Sequence, residues 1–411
     1  MPSDLLSIAE VRSKILATVP RLASETVGLA DLAGRVLAEP VRATEDVPGW
    51  DNSGMDGYAV RADDVATAGA VLEVIGDIPA GGVAAGSVGP GQAFKIMTGA
   101  PMPDGADTVV RVEDTSETEG RVTIRQAYER GTYVRPRGGD VPAGDVVIPE
   151  GTRLGPQHVG MMAALGVVEA IVSRRPRVAV LSTGDELRPA ETPVLEPGTI
   201  RDSNRPMLMG LVEAAGGEVI DMGSVADDDD LLRAVIGRAV AEADVIISSG
   251  GVSMGDYDVV KAVLGGEAGV EFLSLAMNPG KPLGFGMVGG RPFFGLPGNP
   301  VSVLVSFEQF ARPALLAMQG ANALLRPRVR GVAGETFTSD PAKEAFLRAR
   351  IVDHATLEVV STGGQGSNVL SGAAAADCFA VMPVGVDKVE PGDSLLLELF
   401  TAQENRGVGD E

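Results

Sequence analysis

The chain has 411 residues, 45% of them apolar, and a formal charge of -22. At roughly 100–200 residues per domain that allows two to four domains with sizeable cores, and the acidic balance excludes a general nucleic-acid or anionic-membrane binder, whose affinity comes from neutralising phosphate. One cysteine, Cys378, and two histidines, His158 and His354, exclude an internal disulfide, a thiolate zinc cluster and a multi-histidine metal centre, so any metal is expected on oxygen ligands, which suits Mg²⁺.

The opening residues, MPSDLLSIAE, lack the basic and apolar regions of a signal peptide, and no run of about 18 apolar residues exists. A soluble, cytoplasmic chain is expected, with no membrane span and no nucleic-acid partner. Leu5, Ile8, Val11, Ile15 and Leu16 fall at helical spacing, which predicts a helix over residues 5–16, and a short second helix is expected over 29–37. From 47 to about 140 the chain is rich in Gly, Pro and short alternating runs, the pattern of a small β domain inserted between helical pieces. Trp50 and the turn-forming run Asp51 to Gly57 open it, Lys95-Ile96-Met97-Thr98-Gly99 reads as a strand entering a tight loop, and Arg135-Pro136-Arg137-Gly138-Gly139-Asp140 closes it. A helix over 156–165 follows, with proline suited to its first turn.

Residues 178–300 carry three loops of unusual composition. The first holds Ser182, Thr183, Gly184, Asp185 and Glu186. The second runs from Ser248 through Ser249, Gly250, Gly251 and Ser253 to Asp256 and Asp258. The third is Gly295-Leu296-Pro297-Gly298-Asn299-Pro300. Each follows a short apolar run (VAVL, DVII, PFFGL) that reads as a buried strand, and helical patterns lie between or after them. Alternation of this kind predicts a parallel sheet with crossover helices, whose ligands bind at the carboxyl ends of the strands, where these loops lie. Ser203 and Asn204 are expected to cap one helix, the acidic run 227–230 another, and Asn299 with Pro300 a third that extends to Met318. After 326 the composition turns β-rich to about 400, and the last residues read as a frayed tail.

Two motif matches mislead. Gly284 to Gly289 fits the dinucleotide pattern G-x-G-x-x-G, but Pro282 precedes it and Gly290-Arg291-Pro292 follows, where a helix is required, so a hairpin turning at Gly289-Gly290 is expected. Gly251-Val252-Ser253-Met254-Gly255 fits the nucleophile elbow, but Ser253 lies several residues past its strand, and His354 falls in the separate C-terminal β segment. What remains is a constellation at one edge. Ser248 to Gly251 can turn N–H groups toward an anion, Gly298-Asn299 opens a helix, Lys281 adds a cation, and Asp185, Glu186, Asp228, Asp256 and Asp258 gather carboxylates. An anion cradle beside carboxylates fits a phosphorylated ligand bridged by Mg²⁺.

As an ordered set, DNSGMDGYAV, MTGAPMPDGAD, RPRGGDV, STGDEL, SSGGVSMGDYD, NPGKP, GLPGNPVS and GQGSN resemble the molybdopterin molybdenumtransferase family (MoeA and the C-terminal region of gephyrin), essentially end to end. The resemblance implies a multidomain α/β plus β fold. Its parts are an elongated helical N-terminal piece (1–46 with 141–175), an inserted β domain (47–140), a central α/β molybdopterin-binding domain (176–325), a C-terminal β-barrel (326–402) and a tail (403–411). It implies a homodimer whose active site is shared between chains. The implied reaction inserts molybdate into adenylylated molybdopterin and releases AMP, with Mg²⁺ as cofactor and the molybdopterin adenylyltransferase as a possible partner. By motif, Asp56, Thr98, Asp140, Glu186, Asp228 and either Asp256 or Asp258 are the implied functional positions, with Glu186, Asp228 and Asp256 as metal ligands. Ser249, Gly250, Gly251, Lys281, Pro297 and Pro300 form the implied nucleotide and pterin cradle, and Arg350 and Ser367 come from the barrel. Asn278 departs from the pattern, standing where some members place a second lysine. Two other readings stay open, an adenylyltransferase that makes the same substrate and a non-catalytic scaffold.

Overall fold

The computed structural model describes residues 5–252, 259–265 and 269–400, and three six-stranded sheets organise them. The first helix, Ile8–Thr18, starts where Ser7 and Glu10 cap each other reciprocally. Its Ile8, Val11 and Ile15 are buried in one core with Val178, Val180 and Phe294 of the central sheet and with Phe346 and Phe379 of the C-terminal strands. The second helix expected over 29–37 is only a 3₁₀ turn, Leu29–Asp31. Gly34, at φ 81°, breaks the period, and Val36 and Leu37 then bridge Arg153 and Val172 as extended chain. Ser24–Gly28 likewise pairs antiparallel with Glu169–Ser173.

The inserted sheet is ordered Thr108–Arg111, Gly57–Val60, Gln92–Ile96, Val71–Ile78, Arg121–Ile124, Thr115–Thr118. Only the Val71–Ile78 and Gln92–Ile96 pair is parallel. Val60, Val110, Val122 and Ile124 fill one of its faces, and Ile78, Ile96 and Val109 the other.

The central sheet runs Glu218–Val225, Arg177–Thr183, Val245–Ser249, Arg291–Leu296, Pro282–Val288, Val270–Ser274. Its first four strands are parallel and end together at the loops singled out above. The hairpin expected at Gly289-Gly290 is present, and at the far side the last two strands join antiparallel. The reason is local. Gly289 and Gly290, both at positive φ, make the two-residue hairpin turn, and two residues cannot cross over a sheet.

The helix beginning at Pro300 continues to Met318 through a π-turn, Phe307–Ala311. Pro313 explains the turn: it has no N–H to return to the Gln309 carbonyl four residues back. Arg12 of the first helix takes that carbonyl instead (3.1 Å) and also donates to the Gln309 side chain (2.9 Å). Gln309 in turn donates to buried Glu398 at 2.6 Å. By length and composition these 19 residues could cross a membrane, but 83% of the stretch is buried inside the protein, and it serves as the core helix.

Five C-terminal strands close into a barrel: Glu344–Asp353, Glu358–Ser361, Arg328–Ala333, Ser394–Leu399 and Cys378–Met382, which pairs back with the first. Cys378 is buried in its core, where burial pushes the thiol up to about 12. A short strand of the central domain, Met277–Asn278, adds parallel to the barrel, with Asn278 opposite Ala345. That pairing brings the barrel to the ligand edge of the sheet.

Candidate functional site

The strand ends bring the predicted loops together in ways the sequence did not specify. Ser182 was expected to bind ligand, but its hydroxyl is buried and donates inward to Asp202 at 2.6 Å, with Ser224 2.9 Å away. Ser182 therefore supports the loop rather than lining the site. Asp202 is 3% exposed and also accepts from Ser224 and from the Arg205 backbone and guanidinium. Burial alone would raise its carboxyl, but these donors outweigh it and hold it below the usual carboxylate value. Asp202 also replaces Ser203 as the functional cap of helix Asn204–Ala214, because Ser203 makes no side-chain cap bond.

A carboxyl lowered in the folded state contributes stability above its unfolded pKa, about 3.9, and loses it as pH falls through the folded value. Asp202→Asn should therefore cost about 2 kcal/mol at neutral pH. Denaturant titration should show the gap to wild type shrinking below about pH 4.

Past Ser182, Thr183 is buried and its hydroxyl lacks a partner among the described residues. Gly184 is overlain by the Glu186 carboxylate, since a Cβ there would stand 2.4 Å from the Glu186 Oε2. Asp185 accepts from the Asp227 N–H at 3.0 Å, which ties the first loop to the acidic run. Asp228 caps helix Asp229–Glu242 by accepting from the Leu231 N–H at 2.9 Å. Asp185, Glu186 and Asp228 are all exposed at this edge. Among the described residues no cluster of three metal-ligating side chains forms. Ser253, Asp256 and Asp258 lie outside the described residues.

Ser248 and Ser249 end their strand buried, and Gly250 and Gly251 follow at φ 91° and 69°. A Cβ on Gly250 would meet the Thr183 carbonyl at 2.6 Å, and one on Gly251 would meet Val260 at 2.3 Å, so only glycine fits this approach of two loops. The anion cradle expected here is reduced, because the Gly250 N–H donates to the Leu296 carbonyl at 3.0 Å.

The third loop is held from two sides. Asn204, expected only as a cap, donates to both the Ser249 hydroxyl (2.8 Å) and the Gly298 carbonyl (2.6 Å), stapling the second loop to the third. Its own Oδ1 is buried without a partner among the described residues. Asn299 precedes the helix as expected but makes no side-chain cap. Its amide donates to Ser367 of the barrel at 2.9 Å, and the Ser367 carbonyl accepts from the Val301 N–H at 3.0 Å, so the barrel supplies the cap.

Ser367 is placed by a residue that sequence reasoning missed. Arg348 is fully buried and forms no ion pair among the described residues, and its guanidinium donates to the carbonyls of Gly364, Gln365 and Gly366. Burial lowers its pKa. Arg350, the expected barrel contribution, lies exposed on the same strand.

These elements line a cavity of about 300 Å³ with Asn278, Lys281, Pro297, Gly298, Asn299, Ser302, Lys343 and Ser367, among others, and no carboxylate lines it among the described residues. Pro300 stands at the helix start beside it. Lys343 was not anticipated.

Of the remaining predicted residues, Asp56 and Thr98 pair at the edge of the inserted sheet and Asp140 lies apart from it. Asp56 accepts from the Thr98 N–H and hydroxyl, both at 2.7 Å. Those bonds, the backbone one first, hold its carboxyl below the usual range. Asp140 lies at the exposed end of the Arg137 turn, whose guanidinium is held by Asp46 at 2.6 Å. Asp56 and Thr98 bond to each other, and the Asp56 carbonyl accepts from the Val112 N–H, all beside the inserted sheet.

Comparison with known proteins agrees along the chain. Residues 6–166 match the MoeA N-terminal region (domain I and II), 179–317 the probable molybdopterin binding domain, and 330–400 the MoeA C-terminal region (domain IV). The chain is 43% identical to molybdopterin molybdenumtransferase 2 of Mycobacterium tuberculosis, covering 90% of this chain and 93% of that one. It is 39% identical to the molybdopterin molybdenumtransferase of Nostoc sp., covering 96% and 94%. A solved molybdopterin biosynthesis moeA protein of Pyrococcus horikoshii superposes with a TM-score of 0.84 at 29% identity, covering 96% of this chain and all of that one.

Proposed function

Because the chain belongs to the molybdopterin molybdenumtransferase family, which inserts molybdenum in molybdenum cofactor biosynthesis, we propose that its substrates are molybdate and adenylylated molybdopterin and that it releases AMP. The observation that carries this reading is the juxtaposition at one sheet edge of a cation-lined cavity free of carboxylates and the carboxylate loops of Asp185, Glu186 and Asp228. The cavity suits an oxyanion, and the carboxylates suit the cation that accompanies a nucleotide phosphate.

The candidate ligands described at that edge, Asp185, Glu186 and Asp228, offer oxygen, which fits Mg²⁺. Glu186 and Asp228 would hold it, and Asp228 keeps one carboxylate oxygen beyond the one that caps Leu231. When bound, the ion supplies charge neutralisation to a phosphoanhydride. Lys281 opposes the charge of the oxyanion, Ser367 and Asn299 fix the mouth of its cavity, and Asn204 keeps the two phosphate-facing loops in register.

We read the Asp56–Thr98 pair and Asp140 as closing this cleft from a second copy in a homodimer, since their own bonds remain within the inserted sheet and the Arg137 turn. The four-part division anticipated from the sequence accompanies that reading. A molybdopterin adenylyltransferase would supply the substrate.

The test is AMP release from adenylylated molybdopterin by the purified chain. Release should require molybdate, and Asp56→Ala and Glu186→Ala should each slow it at least about tenfold. Full rates in both variants would refute the site assignment. Adenylylation of molybdopterin from ATP without an added protein would instead favour the adenylyltransferase reading.

A further inference from the structure

We propose that Trp50 is the stacking platform for the pterin ring of the substrate, offered by the inserted domain to the cleft it closes. The inference deepens the reading given above and rests on it. Trp50 is the only tryptophan in the chain and is 55% exposed. A lone exposed apolar side chain is ordinary, but this one lies midway along the segment that joins the two groups of site residues. Three residues before it, the Val47 carbonyl accepts from the Asp140 N–H at 3.1 Å. Three residues after it, the Ser53 carbonyl accepts from the Gly99 N–H at 2.8 Å, next along the chain from Thr98. The segment between is fixed. The Pro48 carbonyl accepts from the Gly138 N–H at 2.9 Å, and the Asp51 carboxylate from the Arg137 N–H at 2.7 Å. The Asp51 carbonyl accepts from the Met102 N–H at 2.9 Å, and the Trp50 carbonyl from the Asn52 amide at 3.3 Å. A ring on so constrained a backbone loses less freedom when a ligand covers it.

Among the described residues no aromatic ring or cation stacks on Trp50, whereas exposed Tyr133 carries the Arg111 guanidinium 5.9 Å from its ring centroid. The polar groups of the same rim select the pterin over the adenine of the same substrate. Asp51, Asp56 and Asp140 are exposed carboxylates. Both Thr98 bonds fall on Oδ1 of Asp56, which leaves its Oδ2 clear of them. A carboxylate accepts two parallel N–H donors together. The pyrimidinone edge of a pterin presents such a pair, an amino group beside a ring N–H, and adenine does not.

Tryptophan emission from the full chain reports on Trp50 alone and tests this directly. Added molybdopterin should quench it, and added AMP should not. In AMP-release kinetics, Trp50→Ala should raise the KM for adenylylated molybdopterin about tenfold, the loss expected when a stacked base is deprived of its aromatic partner. Its kcat should change little, and Trp50→Phe should keep most of the affinity. The thermal transition should not move, because the side chain is exposed. An unchanged KM in Trp50→Ala overturns the proposal, as does quenching by AMP but not by molybdopterin. Asp56→Ala separates the two levels. If it slows AMP release while Trp50→Ala leaves KM unchanged, the cleft reading stands and the role of Trp50 falls. If wild type releases no AMP, the cleft reading falls; quenching by molybdopterin then supports the ring on its own, and its absence overturns it.

Discussion

Gly57→Ala should destabilise the inserted sheet by about 3 kcal/mol or more and should impair molybdenum insertion more than Asp56→Ala does. Gly57 lies on a central strand, opposite Ile96 on one side and Arg111 on the other. A Cβ there would stand 1.9 Å from the Val110 carbonyl oxygen and 2.8 Å from its carbon. Both are backbone atoms, so no rotamer change relieves the overlap and the strands must part. Asp56 immediately precedes Gly57, and Thr98 follows just after Ile96, so separation pulls apart the two partners of the 2.7 Å bonds as well. Hydrogen exchange should show faster exchange at residues 57–60 and 108–111, with the barrel strands unchanged. Wild-type exchange in both strands would show that the sheet can accommodate a methyl group.

The second large effect is expected at Arg348. Arg348→Met keeps much of the buried volume but removes the donors to three consecutive carbonyls, Gly364, Gln365 and Gly366. An isolated buried guanidinium is costly, and its replacement by an apolar chain can be neutral where its partners can also be made apolar. Here the acceptors are backbone and cannot be changed. We expect a loss of about 2–3 kcal/mol and release of the loop that carries Ser367. Ser367 supplies the carbonyl that accepts from the Val301 N–H and a hydroxyl facing Asn299. The KM for molybdate should therefore rise about tenfold, with kcat less affected. An unchanged KM beside lowered stability would confine Arg348 to a structural role.

Much of this site was legible because its loops follow apolar runs that can only be strands, and because Gly289-Gly290 states its own turn. The parts that were not legible depend on contacts between segments far apart in the chain. Ser182 reads as a loop hydroxyl until Asp202 is seen beneath it. Asn299 carries the usual cap residue, yet the barrel carbonyl of Ser367 does the capping. Arg348 and Arg350 stand two residues apart on one strand, so no periodicity separates the buried one from the exposed one. Lys343 lies in Asp340-Pro341-Ala342-Lys343, which reads as a solvated turn until the Met277–Asn278 strand is placed against the barrel.

The bond from Arg12 to the Gln309 carbonyl spans 297 positions of sequence, and Gln309 leans in turn on Glu398. On the ribosome the chain emerges amino end first. The Ile8–Thr18 helix is thus made before every group that receives it, from Val178 and Val180 to Phe379. Until Gln309 and Glu398 have been made, its apolar stripe lacks part of its native seat. Docking of that helix is a late, long-range event set by contact order rather than by helix propensity, and until it occurs the nascent chain presents Val11 and Ile15 to whatever chaperone waits outside.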